Sequence, residues 1–134
     1  ELYGEVNDKL FNREHGSCIV TREYPDVHFV CDLIHSSKGV AVMAHPYMFD
    51  NLELLEELAQ TGKVDGVEIY HYTADSEEKI NKLIEIAKKY NLIITGGSDF
   101  HGLYNQVATH IGSNTTDEEN LKRLTSLIAQ KAHK

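Results

Sequence analysis

The stretch that decides the fold is LIITGGSDFH, residues 92–101, in which a short apolar run passes through two glycines into polar residues. Two earlier stretches are also short and rich in apolar residues. They are VAVMA at residues 40–44 and VDGVEIY at residues 64–70, and each is followed by a histidine. Short apolar runs with little polar alternation are typical of parallel strands that are covered on both faces. We therefore predict three parallel strands.

Helical periodicity fills the segments between these runs. The apolar spacing predicts helices over residues 27–37, 52–61 and 76–90, and a fourth helix after Thr116. The residues expected to cap these four helices are, in order, Asp26, Asp50 or Asn51, Asp75 and Thr116. Strands that are joined by helical crossovers form a parallel α/β sheet or part of a barrel. The predicted fold class is therefore α/β.

The beginning of the chain fits this pattern less well. Residues 2–11 have the composition of a helix and residues 17–21 that of a strand, but the sequence leaves both assignments open. We interpret residues 1–134 as a single domain, with an uncertain segment at 1–24 and a recognisable α/β part at 25–134.

Composition excludes several classes of function. The chain has 134 residues, with 13 Lys and Arg against 21 Asp and Glu, and a net charge of −8. No basic run is present, which argues against binding to duplex nucleic acid. No apolar stretch approaches the roughly 18–20 residues that a membrane helix needs. The two cysteines lack C-x-x-C spacing, which favours reduced thiols in a cytoplasmic protein. The first residue is Glu and no signal-peptide pattern follows it, so we expect a processed chain or a piece of a longer one.

Polar side chains collect where the predicted strands end. His45 follows the first strand, Glu68 and His71 lie at the end of the second, and Asp99 and His101 follow the third. The carboxyl ends of parallel strands open onto one crevice, so we expect these residues to converge. Imidazole and carboxylate groups are ligands for Zn, Mn or Fe. The alternatives remain open for two of them, with Glu68 as a surface residue of an edge strand and His71 as a stacking or capping residue.

The end of the third stretch carries two further expectations. Asp99 and His101 are two residues apart, and in extended backbone this spacing places both side chains on one side. Gly96 and Gly97 would allow the backbone to approach a bound anion closely.

A second polar strip competes for a metal. His28, Cys31, Asp32 and His35 lie on one face of the helix predicted at residues 27–37. Cys31 also belongs to the apolar stripe of that helix, so we interpret its polar neighbours as the flanks of an ordinary amphipathic helix.

Three motifs resemble the PHP (polymerase and histidinol phosphatase) family. They are GVAVMAHP at residues 39–46, DGVEIYH at 65–71 and GGSDFHG at 96–102. The resemblance spans about residues 24–112 and is nearest to the nucleoside 3′,5′-bisphosphate phosphatase-like branch. It implies the C-terminal half of a distorted (β/α)7 TIM-like barrel. It also implies the family's chemistry, which is phosphoester hydrolysis with bound metal ions.

The resemblance also implies roles for individual residues. His45, Asp99 and His101 would be metal ligands, and Glu68 and His71 would lie at or near the site without an assigned role. The family's metal cluster further needs an N-terminal His-x-His pair, a following Asp or His, and a mid-chain Glu. The chain contains no His-x-His, so we expect an incomplete site for Zn, Mn or Fe and little activity from this chain alone.

The predicted function is that of a hydrolase, a metal-dependent phosphoesterase in the intact parent, acting on a phosphorylated small molecule or nucleotide. Two alternatives remain open, a non-catalytic PHP module with a structural or interaction role and a metal-dependent amidohydrolase. A divided barrel leaves a strand edge with unpaired backbone groups. We therefore expect either a homo-oligomer or completion by a missing N-terminal half, unless residues 1–24 fold back over that edge.

Overall fold

The computed structural model describes residues 2–20, 23–102, 107 and 109–133. This part of the chain forms three strands, five α-helices and a short 3₁₀ helix. In chain order the elements are α1 (Leu2–Phe11), α2 (Val27–Ser36), β1 (Val42–Met43), the 3₁₀ helix (Pro46–Phe49), α3 (Leu52–Gln60), β2 (Gly66–Tyr70), α4 (Glu77–Lys89), β3 (Ile93–Gly96) and α5 (Glu118–Ala132).

The strands form one parallel sheet in the order β1-β2-β3. Gly66 of β2 pairs with Val42 on one side and with Ile93 on the other. The helices α3 and α4 connect consecutive strands, so the predicted parallel α/β fold class is confirmed. The prediction is wrong on the length of β1, which pairs over two residues rather than over 40–44. Just before β1, the carbonyl of Ala41 accepts from the N–H groups of both Asp65 and Gly66.

The core lies between the sheet and the helices. Its largest fully buried side chains are Leu55, Leu58, Val67, Ile69, Leu83 and Pro46. Full burial of an aliphatic side chain of this size contributes about 1.5–3 kcal/mol, so β2, α3 and α4 supply most of the apolar burial that stabilises the fold. None of the helices in the described residues is long and apolar enough to cross a membrane.

The backbone hydrogen bonds of the N-terminal segment join residues that are close together in sequence. Residues 2–11 form α1, the helix that their composition favoured. The chain then turns back on this helix, with the N–H of Cys18 donating to Leu10 and that of Gly16 donating to Asn12. The strand-like composition of residues 17–21, which left that assignment open, does not give a strand at 17–20, where the chain is turn and irregular structure; residue 21 lies outside the described residues.

Two helix caps follow the expectation from sequence. The carboxylate of Asp26 accepts from the N–H of Phe29 at 3.1 Å and caps α2. Asn51 occupies the N-cap position of α3, although its side chain makes no cap hydrogen bond there. Asp50, the alternative cap, is in the left-handed region with φ 53° and ends the 3₁₀ helix.

The other two caps lie one residue later than predicted. Ser76 rather than Asp75 caps α4, and Asp75 instead binds Lys79 at 2.8 Å. Asp117 rather than Thr116 caps α5, accepting from a backbone N–H at 2.8 Å. Both true caps have extended backbone, with ψ of 154° and 164°, which lets the side chain fold back over the first turn.

Candidate functional site

The carboxyl ends of the three strands bring four of the predicted residues together, and we call His45, Glu68, His71 and Asp99 the carboxyl-end cluster. The ring centroids of His45 and His71 are 5.1 Å apart. Nε2 of His71 lies 3.4 Å from Oδ2 of Asp99. The carboxylate of Glu68 accepts from the backbone N–H of His45 at 3.0 Å. Residues from three separate strand ends therefore meet at one place.

His101 lies at the rim of this cluster. Its side chain is 63% exposed, and its Nδ1–H donates to the backbone carbonyl of Asp99 at 2.7 Å. The expectation that Asp99 and His101 share one side of an extended strand is wrong, because Asp99 has φ 49° and the backbone is not extended there.

Two residues of the cluster have left-handed backbone. His45, two residues after β1, has φ 29°, and Asp99, three residues after β3, has φ 49°; Lys38, Asp50 and Asn91 have positive φ elsewhere in the described residues. Residues other than glycine adopt the left-handed region at a cost of the order of 1–3 kcal/mol, and such positions cluster at functional sites. Glu68 holds the strained segment in place because it accepts the N–H of His45.

His71 is the most buried member of the cluster, with a side chain that is 1% exposed. Its ring packs on Tyr72 at 4.3 Å, and its Nδ1 contacts Thr73. Its Nε2 and the Nδ1 of His45 are both buried without a hydrogen-bond partner among the described residues. A buried polar atom left without a partner costs about 1–3 kcal/mol. The contacts with Tyr72 and Thr73 therefore account for the ring face and for Nδ1 of His71, but they leave Nε2 without a partner.

The alternation of side chains along β2 indicates the burial of His71. Side chains alternate across a strand with a period of two. Val67 and Ile69 of β2 are fully buried, and His71 continues the same parity. Glu68 has the opposite parity and is only partly buried. Continuing the alternation from Val67 and Ile69 to His71 predicts that the imidazole of His71 is buried.

Gly96, the last residue of β3, and Gly97, which follows it, lie close against other parts of the chain. A Cβ at Gly97 would lie 2.7 Å from Oε1 of Glu68, and one at Gly96 would lie 2.7 Å from the carbonyl of Thr115. The expectation that they admit a bound anion is not supported, because the space that they leave is filled by Glu68 and the segment before α5.

The competing strip on α2 is fully paired. Each of its polar side chains has a partner: His28 contacts Glu57 at 3.1 Å, Asp32 pairs with Lys63, and His35 contacts Asp65 at 2.9 Å. Cys31 is buried in the core, and burial raises the pKa of its thiol. This strip is the flank of an amphipathic helix, as its apolar stripe indicated.

A second polar group lies at the opposite end of the sheet, and we call Asp65, His35 and Lys131 the amino-end network. The carboxylate of Asp65 contacts Nε2 of His35 at 2.9 Å, accepts from the N–H of Ala41 at 2.8 Å and binds Nζ of Lys131 at 3.0 Å. Burial opposes the ionisation of Asp65, but these hydrogen bonds from Ala41, Lys131 and His35 together hold its pKa below the usual value. No local pattern in the sequence indicates this network.

An open groove of about 660 Å³ adjoins the amino-end network, between the end of α4 and α5. Arg123 lines it, but its guanidinium donates to the backbone carbonyls of Asn91 and Leu92. The groove lies at the other end of the sheet from the carboxyl-end cluster. The size of a cavity therefore does not identify the candidate site. The buried side-chain atoms without hydrogen-bond partners identify it.

The donors of the carboxyl-end cluster fit a metal ion in kind but do not form a closed site. Imidazole and carboxylate are suitable ligands, and the buried Nδ1 of His45 has no hydrogen-bond partner among the described residues. Within that part of the chain, no group of three or more His, Cys, Asp or Glu is arranged to hold a metal. The described residues therefore offer suitable donor types but do not form a metal site by themselves.

Comparison with known proteins relates the chain to phosphoesterases. It is 33% identical over 110 residues to the phosphoribosyl 1,2-cyclic phosphate 1,2-diphosphodiesterase of Eggerthella lenta, covering 82% of this chain and 40% of that protein. It is similar to the crystal structure of a protein from Bifidobacterium adolescentis named as a metal-dependent phosphoesterase, with a TM-score of 0.71 and 26% identity. That match covers 90% of this chain and 44% of the other. No family model matches the chain. The chain thus spans less than half the length of both relatives.

Proposed function

We propose that the chain is the C-terminal part of a PHP-family, metal-dependent phosphoesterase, and that it forms part of a distorted (β/α)7 barrel. The observation that carries this proposal is the convergence of His45, His71 and Asp99 from three strand ends into one partly buried cluster. The similarity to two proteins named as phosphoesterases supports the same reaction class. The activity belongs to the intact parent protein.

Three side chains are assigned as metal ligands. His45 would bind through Nδ1, which is buried and lacks a hydrogen-bond partner among the described residues. His101 would bind through Nε2, because its Nδ1–H is held by the carbonyl of Asp99. Asp99 would supply a carboxylate oxygen. The mixed imidazole and carboxylate set suits Zn, Mn or Fe.

The chemistry divides between the metal and the chain. Bound divalent ions supply polarisation of the phosphoryl oxygens and hydroxide at neutral pH. Glu68 fixes the backbone at His45 and so aims that imidazole into the cluster. The carboxylates of Glu68 and Asp99 would repel an anionic phosphate, so cations are needed before such a substrate can enter.

The substrate class follows from the relatives. The Eggerthella lenta protein is named for a phosphoribosyl 1,2-cyclic phosphate, and the sequence motifs resemble the nucleoside 3′,5′-bisphosphate branch. Both are phosphate esters of a ribose. We propose a phosphorylated sugar or nucleotide as the substrate of the parent.

Location and assembly are part of the proposal. The two cysteines are free in the structure, Cys18 exposed and Cys31 buried, which supports a reducing compartment such as the cytoplasm. Each outer strand of the three-stranded sheet has only one neighbour in the described residues. We propose that the remainder of a longer chain or a second copy covers these edges.

Metal binding by the 134-residue chain tests the ligand assignment. In an NMR titration with Mn²⁺, we expect selective broadening of residues around His45, Asp99 and His101. We expect His45→Ala to lower the affinity by at least about tenfold. The matched control is His28→Ala, which removes an imidazole that pairs with Glu57 outside the cluster. Equal affinity in both variants would contradict the ligand assignment.

Hydrolysis assays test the reaction class. We expect the chain alone to show little or no turnover of a nucleoside 3′,5′-bisphosphate or of phosphoribosyl 1,2-cyclic phosphate, since groups that act as a unit lose most of their effect when any part is missing. We expect a full-length parent to hydrolyse one of them and to lose that activity in EDTA. Robust turnover by the chain alone would overturn its assignment as a partial site. A parent that cleaves only amides would favour an amidohydrolase, and one that binds no metal would favour a structural module.

A further inference from the structure

The ring of His71 occupies the centre of the carboxyl-end cluster, yet the ligand set proposed above does not use it. Its side chain is 1% exposed, so solvent does not satisfy its nitrogen atoms. Nδ1 has partners in Thr73, whereas Nε2 has no hydrogen-bond partner among the described residues. A buried imidazole nitrogen in this position requires an explanation.

The contacts of Thr73 determine which nitrogen of His71 carries the proton. The backbone N–H of Thr73 points at Nδ1 from 3.3 Å, and a backbone N–H can only donate. Nδ1 is therefore the acceptor, and the Thr73 hydroxyl at 2.8 Å can donate to the same lone pair. A neutral ring then has its proton on Nε2.

The group that faces this proton is a carboxylate. Oδ2 of Asp99 lies 3.4 Å from Nε2 of His71, slightly beyond a well-formed hydrogen bond. The other unpartnered nitrogen, Nδ1 of His45, does not bond to Nε2, although the two rings are 5.1 Å apart. A carboxylate is also the stronger acceptor. Hydrogen bonds of this kind are often long before a site is loaded and shorten afterwards.

We propose that His71 is a positioning residue that donates its Nε2–H to Oδ2 of Asp99 and turns the other carboxylate oxygen toward the metal. This inference rests on the proposed function, since it gives His71 a role toward the proposed ligand Asp99. His71 is thereby assigned as a partner of a ligand and not as a ligand, because a proton on Nε2 leaves no lone pair there for a metal.

The tautomer can be measured on the 134-residue chain without metal. Long-range ¹⁵N–¹H correlation spectra of the histidine rings should show His71 as the Nε2–H form. Asp99→Asn should shift the His71 Nε2 resonance, whereas the control Asp75→Asn, an exposed carboxylate paired with Lys79, should not. A His71 ring protonated on Nδ1 would overturn the inference, as would an Nε2 resonance that does not respond to Asp99→Asn.

Metal titration of two His71 variants tests the positioning role. His71→Phe keeps a ring but removes the donor, and we expect it to lower the affinity for Mn²⁺ or Zn²⁺ by about 10–100-fold. His71→Gln offers an amide donor near the position of Nε2 and should recover most of that loss. Circular dichroism and NMR dispersion verify that both variants fold. Unchanged affinity in His71→Phe would overturn the positioning role, and so would a His71→Gln variant as weak as His71→Phe.

The outcomes separate this inference from the proposed function. If the wild-type chain binds no divalent ion, the proposed metal site fails, and the positioning of Asp99 toward a metal fails with it. If the wild-type chain binds metal and His71→Phe binds it equally well, the proposed function stands and only this inference fails.

Discussion

The two ends of the sheet each join an imidazole to an aspartate, but they differ in how completely the polar atoms are bonded. At the amino end, the carboxylate of Asp65 contacts His35, Lys131 and a backbone N–H at 2.8–3.0 Å. At the carboxyl end, the His71–Asp99 contact is 3.4 Å, and two buried nitrogen atoms lack hydrogen-bond partners among the described residues.

The difference separates a structural network from a candidate site. A fully bonded polar network holds its elements in one arrangement. The amino-end network ties α2, the segment before β1, the start of β2 and the end of α5 together. The carboxyl-end cluster instead contains two buried nitrogen atoms without a hydrogen-bond partner among the described residues, and such atoms in a folded protein call for an explanation such as a bound ion.

The largest expected effect is on stability at the amino end. Asp65→Asn removes the charge that Lys131 and His35 share, and both partners are at least 70% buried by side-chain exposure. We expect the free energy of unfolding in urea to fall by about 2–3 kcal/mol, somewhat less than for a fully buried pair. The matched control Asp32→Asn breaks an exposed pair with Lys63 and should have a much smaller effect. Equal losses in both variants would contradict the comparison.

The contribution of Asp65 should also depend on pH. Its pKa is held below the usual value by hydrogen bonds that outweigh the effect of burial. The unfolded chain, with an ordinary aspartate pKa of about 3.9, therefore binds more protons than the folded chain just below that pH. The stability from Asp65 is present above the unfolded pKa and is lost as the pH falls through the lower folded pKa.

Unfolding measured from pH 6 to pH 3 checks this dependence. The difference between the wild type and Asp65→Asn should be constant at the upper end of the range and should shrink below about pH 4. A difference that stays constant down to pH 3 would show that the charge of Asp65 is not what stabilises the amino end.

The smallest effect on stability is expected at the carboxyl end. Asp99→Asn keeps the shape of the side chain, and asparagine, like aspartate, tolerates a positive φ. The contacts that the wild-type carboxylate makes with His71 and His101 are long, at 3.4 and 3.5 Å. We expect a change of no more than about 0.5 kcal/mol in unfolding free energy. A loss comparable with that of Asp65→Asn would remove the contrast between the two ends.

Local patterns in the sequence predicted much of the fold. Apolar runs and helical stripes located the three strands and four helices because both periodicities depend on neighbours along the chain. The helices α2, α3 and α4 end within one residue of their predicted bounds. The cap errors at Asp75 and Thr116 are also single-residue errors, since several adjacent polar residues can serve as a cap and only the backbone angles select one.

The sequence alone also predicted that His45, Asp99 and His101 would converge, because the carboxyl ends of parallel strands share one edge; His101 lies at the rim of the cluster, 63% exposed. The sequence could not decide which polar groups would be satisfied. Lys131 binds the carbonyl of Gly39 across 92 residues of chain, and the burial of His71 depends on what packs over the end of β2. Only the tertiary structure decided which imidazole–carboxylate pair is fully hydrogen-bonded. Partners so far apart along the chain produce no periodic pattern in the sequence from which their contact could be predicted.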